Sequence, residues 1–482
     1  MERKSIDKEK LNEFLTATVG KENFSMDPVM LLTFATDASR FEKTPDVVVR
    51  PSSTEQISKI VRYCYENEIP VIPAGARTGC SGGIIAVYGG ILLDLTGMNH
   101  VLELDVDNLQ VCVEPGIVND KLNEFLKPHG FLVPGPASSY AATIGGMVGN
   151  DSSGKEAVNY GTTGAYVLKM EVVLPDGRIT TVGSNALKTA SGLNLVGLFT
   201  GSEGVLGVFT KIWLRLIPLP ETEGIAMALF DELENAGKAV INTFKAGIIP
   251  GCVEILDKSS IYAINQYKPE MQLPDVEAML LYEVEGSSYE IEPKINRIAE
   301  ICKDSGAIEV KKATEKAEID RLWEARSLVG AASVRVREGY SRVYAGEDLA
   351  VPISKIPEML TFLREASQRY DFPIVTFGHV GDGNLHPAIT IRKEVAEDWP
   401  KLEALIEEIN QKALELGGTV TGEHGIGIAR ARYMKREHGE VALDIMKAIK
   451  WALDPKNIMN PGKMALNEDP EVILNKIPVK TI

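Results

Sequence analysis

At 482 residues the chain is too long for one hydrophobic core and should divide into two or three domains. With 44% hydrophobic and 24% charged residues, it has the composition of an ordinary soluble globular protein. A formal net charge of −16 argues against nucleic acid or an anionic membrane as the main partner, because both select basic patches.

The opening run Met1-Glu2-Arg3-Lys4-Ser5-Ile6-Asp7 is charged and lacks the apolar core of a signal peptide. No stretch reaches the ~20 apolar residues of a membrane span. The five cysteines (Cys64, Cys80, Cys112, Cys252, Cys302) are scattered, odd in number and form no CxxC pair. That pattern argues against a disulfide framework and against an iron–sulfur cluster in this chain. The expectation is a reduced, cytoplasmic protein.

In chain order, a helix from Lys8 to about Val19 stops at Gly20. Val47-Val48-Val49 reads as a buried strand. Ser53 with Gln56 reads as a capping box, and Ile57, Ile60, Val61 and Cys64 follow at helical spacing to about Asn67. Ile69-Pro70-Val71-Ile72-Pro73 is the next strand, so strand, helix and strand predict a right-handed crossover and a parallel pair. The loop Ala74-Gly75-Ala76-Arg77-Thr78-Gly79-Cys80-Ser81-Gly82-Gly83 follows. Its glycines allow backbone N–H groups to approach an anion, although a plain flexible loop would look the same.

Strands are expected at 91–95, 101–104 and 111–113, with a helix over 120–126. Pro134-Gly135-Pro136 and then Thr143-Ile144-Gly145-Gly146-Met147-Val148-Gly149-Asn150-Asp151-Ser152-Ser153-Gly154-Lys155 form a second loop suited to a diphosphate. Gly149 to Lys155 nearly spells a P-loop, but Glu156 stands where magnesium needs a hydroxyl. Neither glycine-rich stretch contains the Rossmann fingerprint. A hairpin turns at Pro175-Asp176-Gly177-Arg178. Gly201-Ser202-Glu203-Gly204-Val205-Leu206-Gly207-Val208 leads into a strand over 209–216.

Pro218, Pro220 and Glu221 read as a linker. Beyond it, strands at 225–230, 253–256, 279–284 and 308–310 alternate with helices at 232–246, 291–305, 315–328 and 356–370, a second α+β domain. A long helix covers 399–416, and a last one runs to Leu453 before Asn460-Pro461-Gly462-Lys463.

The stretch richest in chemistry is Gly378-His379-Val380-Gly381-Asp382-Gly383-Asn384-Leu385-His386, followed downstream by Gly422-Glu423-His424-Gly425. Three of the six histidines and a carboxylate sit in two glycine-rich turns. Imidazole and carboxylate are the donors that zinc and its neighbours take, with a further histidine left as a base. The bland alternative is loop histidines satisfied by hydrogen bonds or water.

Six stretches in this order resemble the FAD-linked oxidases of the vanillyl-alcohol-oxidase (PCMH-type FAD-binding) fold. They are Pro73-Ala74-Gly75-Ala76-Arg77-Thr78-Gly79, Thr143 to Asn150, Gly201 to Gly207, Gly378 to His386, Gly422 to Gly425 and Asn460 to Lys463. Within that family the match is to the D-lactate dehydrogenase, glycolate oxidase large subunit and D-2-hydroxyglutarate dehydrogenase branch, and it covers nearly the whole chain.

The resemblance implies an α+β fold in three parts. These are a two-part FAD-binding domain over 1–220, a cap domain with a largely antiparallel sheet over 221–420, and a C-terminal segment, 421–482, returning to the flavin domain. It implies that Pro73, Ala74, Gly75, Ala76, Arg77, Thr78, Gly79, Ser81, Pro134, Thr143, Gly145, Gly146, Gly149, Asn150, Ser153, Gly154 and Gly161 cradle FAD. Glu203 would join that site, Gly204, Gly207 and Val208 would line its adenosine side, and Asn460 would return to the flavin domain. His379, His386 and Glu423 match metal ligands (zinc first, iron or manganese next), His424 a catalytic base, Arg326 a grip on substrate carboxylate and Asn384 a polar substrate contact. Without the resemblance, Arg326 reads as a helix-surface ion pair. With Cys80 and no histidine in the first loop, the FAD is expected to be non-covalent.

The implied reaction is oxidation of D-lactate to pyruvate by metal-assisted proton abstraction and hydride transfer to flavin N5. The electrons would pass to a separate acceptor: an electron-transferring flavoprotein, an iron–sulfur subunit or a quinone. The alternative is a glycolate oxidase-type subunit, and from another class a metal-dependent hydrolase. The 2-hydroxyglutarate enzymes carry a lysine in the stretch matching Tyr344-Ala345-Gly346-Glu347-Asp348-Leu349, where Glu347 and Asp348 would repel a second carboxylate. A short monocarboxylate is therefore expected.

Overall fold

Ser53 accepts the Gln56 backbone N–H at 3.2 Å and starts the helix Thr54–Asn67, whose Ile57, Ile60, Val61 and Cys64 are fully buried. The Gln56 side chain reaches back to Ser52 N–H rather than to Ser53. This helix belongs to a computed structural model that describes residues 6–136, 138–344 and 347–477. Of the Tyr344 to Leu349 stretch, Ala345 and Gly346 lie outside the described residues, as do parts of the expected terminal segments. By its internal contacts the chain forms two units, one within 1–153, 162–219 and 423–480, the other within 154–161 and 220–422.

In the first unit a four-stranded sheet has the order Phe24–Ser25, Val47–Val49, Ile91–Asp94, Val71–Ala74. The strands at 47 and 71 are both parallel to Ile91–Asp94, but they do not pair with each other as the strand–helix–strand pattern suggested. Ile91–Asp94 is buried along its whole length and takes the place between them, where both faces are covered.

A second sheet in this unit is antiparallel, in the order Val101–Asp105, Gln110–Val113, Val208–Arg215, Val167–Val173, Ile179–Gly183. The expected hairpin joins the last two, with Gly177 at φ +84°. The C-terminal segment returns to the first sheet: Val71 N–H donates to Ile458 and Asn460 N–H donates to Val71, both at 2.8 Å.

The region read as a linker is shorter than expected. Ile217–Pro218 pairs with Phe131–Leu132, and the first strand of the second unit, Thr222–Phe230, begins almost at once.

The second unit is built on an eight-stranded antiparallel sheet. Its main path is Glu309–Ala313, Thr222–Phe230, Ala278–Gly286, Cys252–Asp257, Ile374–His379, Asn384–Ile391, Ser341–Arg342, with Leu349–Ala350 beside Asn384–Ile391. Side chains alternate between two cores. Ala226, Ala228, Phe230, Val253 and Ile255 pack with the helices Leu233–Lys245, Ser288–Asp304, Ile356–Tyr370 and Asp398–Glu415. Ile225, Met227, Leu229, Leu256, Val375 and Phe377 pack with Lys258–Tyr267 and Lys316–Ser333. The helix Lys258–Tyr267 was not evident in the sequence pattern. Asp257 caps it by accepting the Ser260 N–H at 2.9 Å.

Candidate active site

The two-residue period of the second unit's sheet decides which side chains meet. Glu254 shares the face of Leu256, His379 that of Phe377, and Asn384 and His386 that of Ala388. One face therefore presents a carboxylate, two imidazoles and an amide, all buried. The helix Lys316–Ser333 covers that face and supplies Arg326. The histidine-rich stretch is thus a β-hairpin, Ile374–His379 with Asn384–Ile391, built about the glycine-rich turn. Gly383 at φ +91° makes its turn.

The two imidazoles lie 5.1 Å apart between ring centres, at 82°. His379 Nδ1 is hydrogen-bonded to Glu254, and His386 Nδ1 donates to the Glu347 carbonyl at 3.2 Å. A carbonyl only accepts, and an ionised carboxylate does the same. In the neutral form, the one that can bind a metal, both rings therefore carry the proton on Nδ1 and the lone pair on Nε2. Histidines that bind metals are held by their other nitrogen in this way.

Glu254 also accepts from Arg326 Nε, and the Arg326 guanidinium lies over Phe377 at 4.9 Å. Burial pushes the Glu254 carboxyl up, but Arg326 and His379 together outweigh it and hold it at about 2. Sequence reasoning missed this residue. The signal was there: a charge in the middle of the buried run Val253-Glu254-Ile255-Leu256.

Asn384 donates to Asp348 at 2.7 Å and to the Leu349 carbonyl at 2.9 Å, and its buried Oδ1 has no partner among the described residues. Asp348 also accepts from Thr421 at 2.6 Å, and Glu347 is held by Arg342 Nε and Nη2. The negative charge expected of these two acids is thus partly compensated. Arg342 neutralises Glu347, and the His386 imidazole lies 4.0 Å from Asp348.

In the first unit the expected FAD loops converge. Pro73 and Ala74 end the strand Val71–Ala74, and Gly75 to Ser81 follow it. A Cβ on Gly75 would stand 2.2 Å from Thr143 Oγ1, and one on Gly204 3.2 Å from Pro73. Glu203 N–H donates to Gly149 at 2.8 Å. Asn460 Nδ2 ties Gly83 to Glu203 through their carbonyls, at 2.9 and 2.7 Å. Gly207 and Val208 lead into the strand Val208–Arg215, and Pro134 follows Phe131–Leu132.

Some expected members have other occupations. Gly145, Gly146, Gly149 and Asn150 lie in a short helix, Ile144–Asn150, capped by Thr143, where a loop was expected. The reason is close packing, since a Cβ on Gly145 would stand 2.7 Å from Pro115. Arg77 Nη1 donates to the Thr33 carbonyl at 2.8 Å while the guanidinium stacks on Phe34. Glu203 uses both carboxylate oxygens on the N–H groups of Ile426 and Gly427, at 2.7 Å each. Gly154 and Gly161 fall in the second unit, where they bracket the short helix Ala157–Tyr160.

Glu423 and His424 open the first unit's last segment. Ser153 Oγ donates to Glu423 at 3.3 Å, and His424 Nε2 is 3.8 Å from Glu423. Ser81 Oγ lies 2.9 Å from the carbonyls of His424 and Gly425, so the first glycine-rich loop fixes the backbone of the histidine turn.

The α+β architecture, the converging glycine-rich loops and the buried His/His/Glu/Arg face define a flavin-dependent oxidoreductase of the PCMH type. Residues 45–183 match the FAD binding domain model, and residues 219–464 match that of the FAD linked oxidases, C-terminal domain. The chain belongs to the FAD-linked oxidases. It is 37% identical over 457 residues to the glycolate oxidase subunit GlcD of Bacillus subtilis, covering 94% of this chain and 96% of that one. It is 36% identical to a probable mitochondrial D-lactate dehydrogenase of Danio rerio (88% and 84% covered) and 34% identical to a D-lactate dehydrogenase of Anaerostipes hadrus (87% and 89%). Its fold is similar to that of p-cresol methylhydroxylase, with a TM-score of 0.79 at 19% identity over 97% and 99% of the two chains. Among the described residues no helix is long and apolar enough to cross a membrane.

Proposed function

We propose that this chain oxidises a short 2-hydroxy monocarboxylate, D-lactate or glycolate, and passes the electrons to a separate acceptor protein. The observation that carries this reading is the buried face formed by Arg326, Glu254, His379, His386 and Asn384. Relatives named D-lactate dehydrogenase and glycolate oxidase subunit support the substrate class.

The first unit's residues fit FAD. The buried Ser152 and Ser202 hydroxyls and Asn460 Oδ1 have no partner among the described residues, and all lie in or beside the converging loops. Unpaired buried polar atoms are costly unless a ligand or water meets them. A divalent cation fits two imidazoles of matching tautomer, with Glu423, the residue after Gly422, as the proposed third ligand. When bound, FAD supplies the hydride acceptor and the cation a Lewis acid.

The chain's own contribution is to bind and orient. Arg326 Nε is held by Glu254, which leaves the two Nη groups to grip a substrate carboxylate in a bidentate pair. Asn384 Oδ1 accepts a substrate hydroxyl or a bound water. His424 takes the hydroxyl proton, a task suited to an imidazole near neutrality. The stretch from Tyr344 to Leu349 holds no lysine that could grip a second carboxylate.

The test is the visible spectrum of purified protein, anaerobically, before and after D-lactate, glycolate, L-lactate or 2-hydroxyglutarate. Flavin bleached by D-lactate or glycolate is the expected result. Flavin that stays oxidised with every hydroxy acid would overturn the substrate class.

A further inference from the structure

Cys252–Asp257 and Ile374–His379 are antiparallel neighbours, and their register sets Glu254 directly opposite His379. Arg326 reaches the same carboxylate from the covering helix Lys316–Ser333. Oε1 is bonded to His379 Nδ1 and Oε2 to Arg326 Nε. The Glu254 side chain is 1% exposed, and those of His379 and Arg326 are 5% and 17% exposed. Among the described residues no other group is hydrogen-bonded to those two oxygens.

Building on the function proposed above, we infer that Glu254 is the positioning residue that couples the two halves of the site. One oxygen fixes the tautomer and orientation of the ligating imidazole, and the other aims the guanidinium that holds substrate. Each of the two donors needs its own acceptor oxygen, and the carboxylate supplies both. A neutral amide has one acceptor oxygen, so Glu254→Gln can keep only one of the two bonds. Aspartate keeps the charge but is one methylene shorter, so it too loses reach to one partner.

The experiment compares wild type, Glu254→Gln and Glu254→Asp as FAD-loaded enzymes stripped of metal. Co²⁺ is titrated by its visible absorption, and flavin reduction by D-lactate is followed after reloading. The expected result is a Co²⁺ Kd raised about 10–100-fold in Glu254→Gln, the usual cost of losing a partner behind a metal ligand. The substrate concentration for half-maximal reduction should rise at least about tenfold as Arg326 loses its anchor. Bound flavin should be unchanged, and Glu254→Asp should recover one of the two properties more than the other. Folded variants with wild-type Co²⁺ affinity and wild-type substrate dependence would overturn the proposal and leave the function standing. Wild-type protein that binds no Co²⁺ and is reduced by no hydroxy acid would overturn the function first.

Should neither variant fold, the wild type decides by ¹⁵N NMR of its histidine rings, assigned with His379→Gln. A His379 ring protonated at Nδ1, with its proton shifted far downfield, is expected; one protonated only at Nε2 overturns the coupling.

Discussion

Asn384 and Asp348 are joined by a 2.7 Å hydrogen bond in which the amide donates, and this bond fixes which way round the amide sits. Because Nδ2 also serves the Leu349 carbonyl, Oδ1 is committed to accept. Asn384→Asp would put two acceptor groups face to face in a buried place. The expected outcome is a stability loss of about 1–3 kcal/mol, the usual cost of an unsatisfied buried polar group, with slower flavin reduction. Denaturant melts with and without substrate check it; wild-type stability and turnover together would contradict the assigned orientation.

His424→Ala should keep the flavin spectrum and the fold, since Ser81 holds this turn through the His424 backbone carbonyl, which the substitution leaves in place. Its rate of flavin reduction by D-lactate should fall roughly 10²–10⁴-fold, the contribution of a general base. Stopped-flow reduction measures this directly, and an unchanged rate removes His424 from the reaction.

Removing the metal with a chelator should abolish reduction by hydroxy acid while dithionite still bleaches the flavin. Zinc, manganese or cobalt should restore it. In His386→Ala the same metals should fail to restore the rate at concentrations that saturate wild type. Full activity in protein shown by elemental analysis to be metal-free would remove the cation from the proposal.

Lys463 is buried and donates to the Ile85 carbonyl at 2.7 Å. Burial pulls its pKa down to about 7, against the opposing pull of Glu203 and Asp37. The unfolded chain keeps this proton to about pH 10.4. Between those values the unfolded state binds more protons, so this residue makes stability rise with pH from about 7 to about 10. Below pH 7 the full cost of the buried charge is present. Melting temperatures from pH 6.5 to 9.5 should rise more steeply for wild type than for Lys463→Met. Parallel profiles would show that Lys463 is charged throughout.

Gly383 turns the histidine hairpin at φ +91°, and a Cβ there would stand 2.0 Å from the Val351 carbonyl. Gly383→Ala should cost on the order of 1–3 kcal/mol of backbone strain and weaken Co²⁺ binding, because His379 and His386 flank this turn. Thermal melts and the cobalt titration check both effects.

Much of the fold was legible because its signals are local. Helix Thr54–Asn67 follows from its cap and its 3.6-residue period, and the hairpin at 175–178 from its Asp-Gly turn. The glycine-rich motifs named the candidate residues in the right order. The insertion of Ile91–Asp94 between the two earlier strands was not legible, because three apolar strands do not announce their neighbours. The helix Ile144–Asn150 was hidden by its glycines, which lower helix propensity but allow the approach to Pro115.

The sequence by itself determined the family, the candidate flavin-binding loops and which histidines and arginine to examine, since those depend on residue type and order along the chain. The tertiary structure decided what each of them touches. Strand register set Glu254 opposite His379, and sheet parity put His379, His386 and Asn384 on one face beneath Arg326. Tautomer, amide orientation and the compensation of Glu347 by Arg342 followed from those contacts. They depend on distances across strands far apart in sequence, which no local pattern encodes.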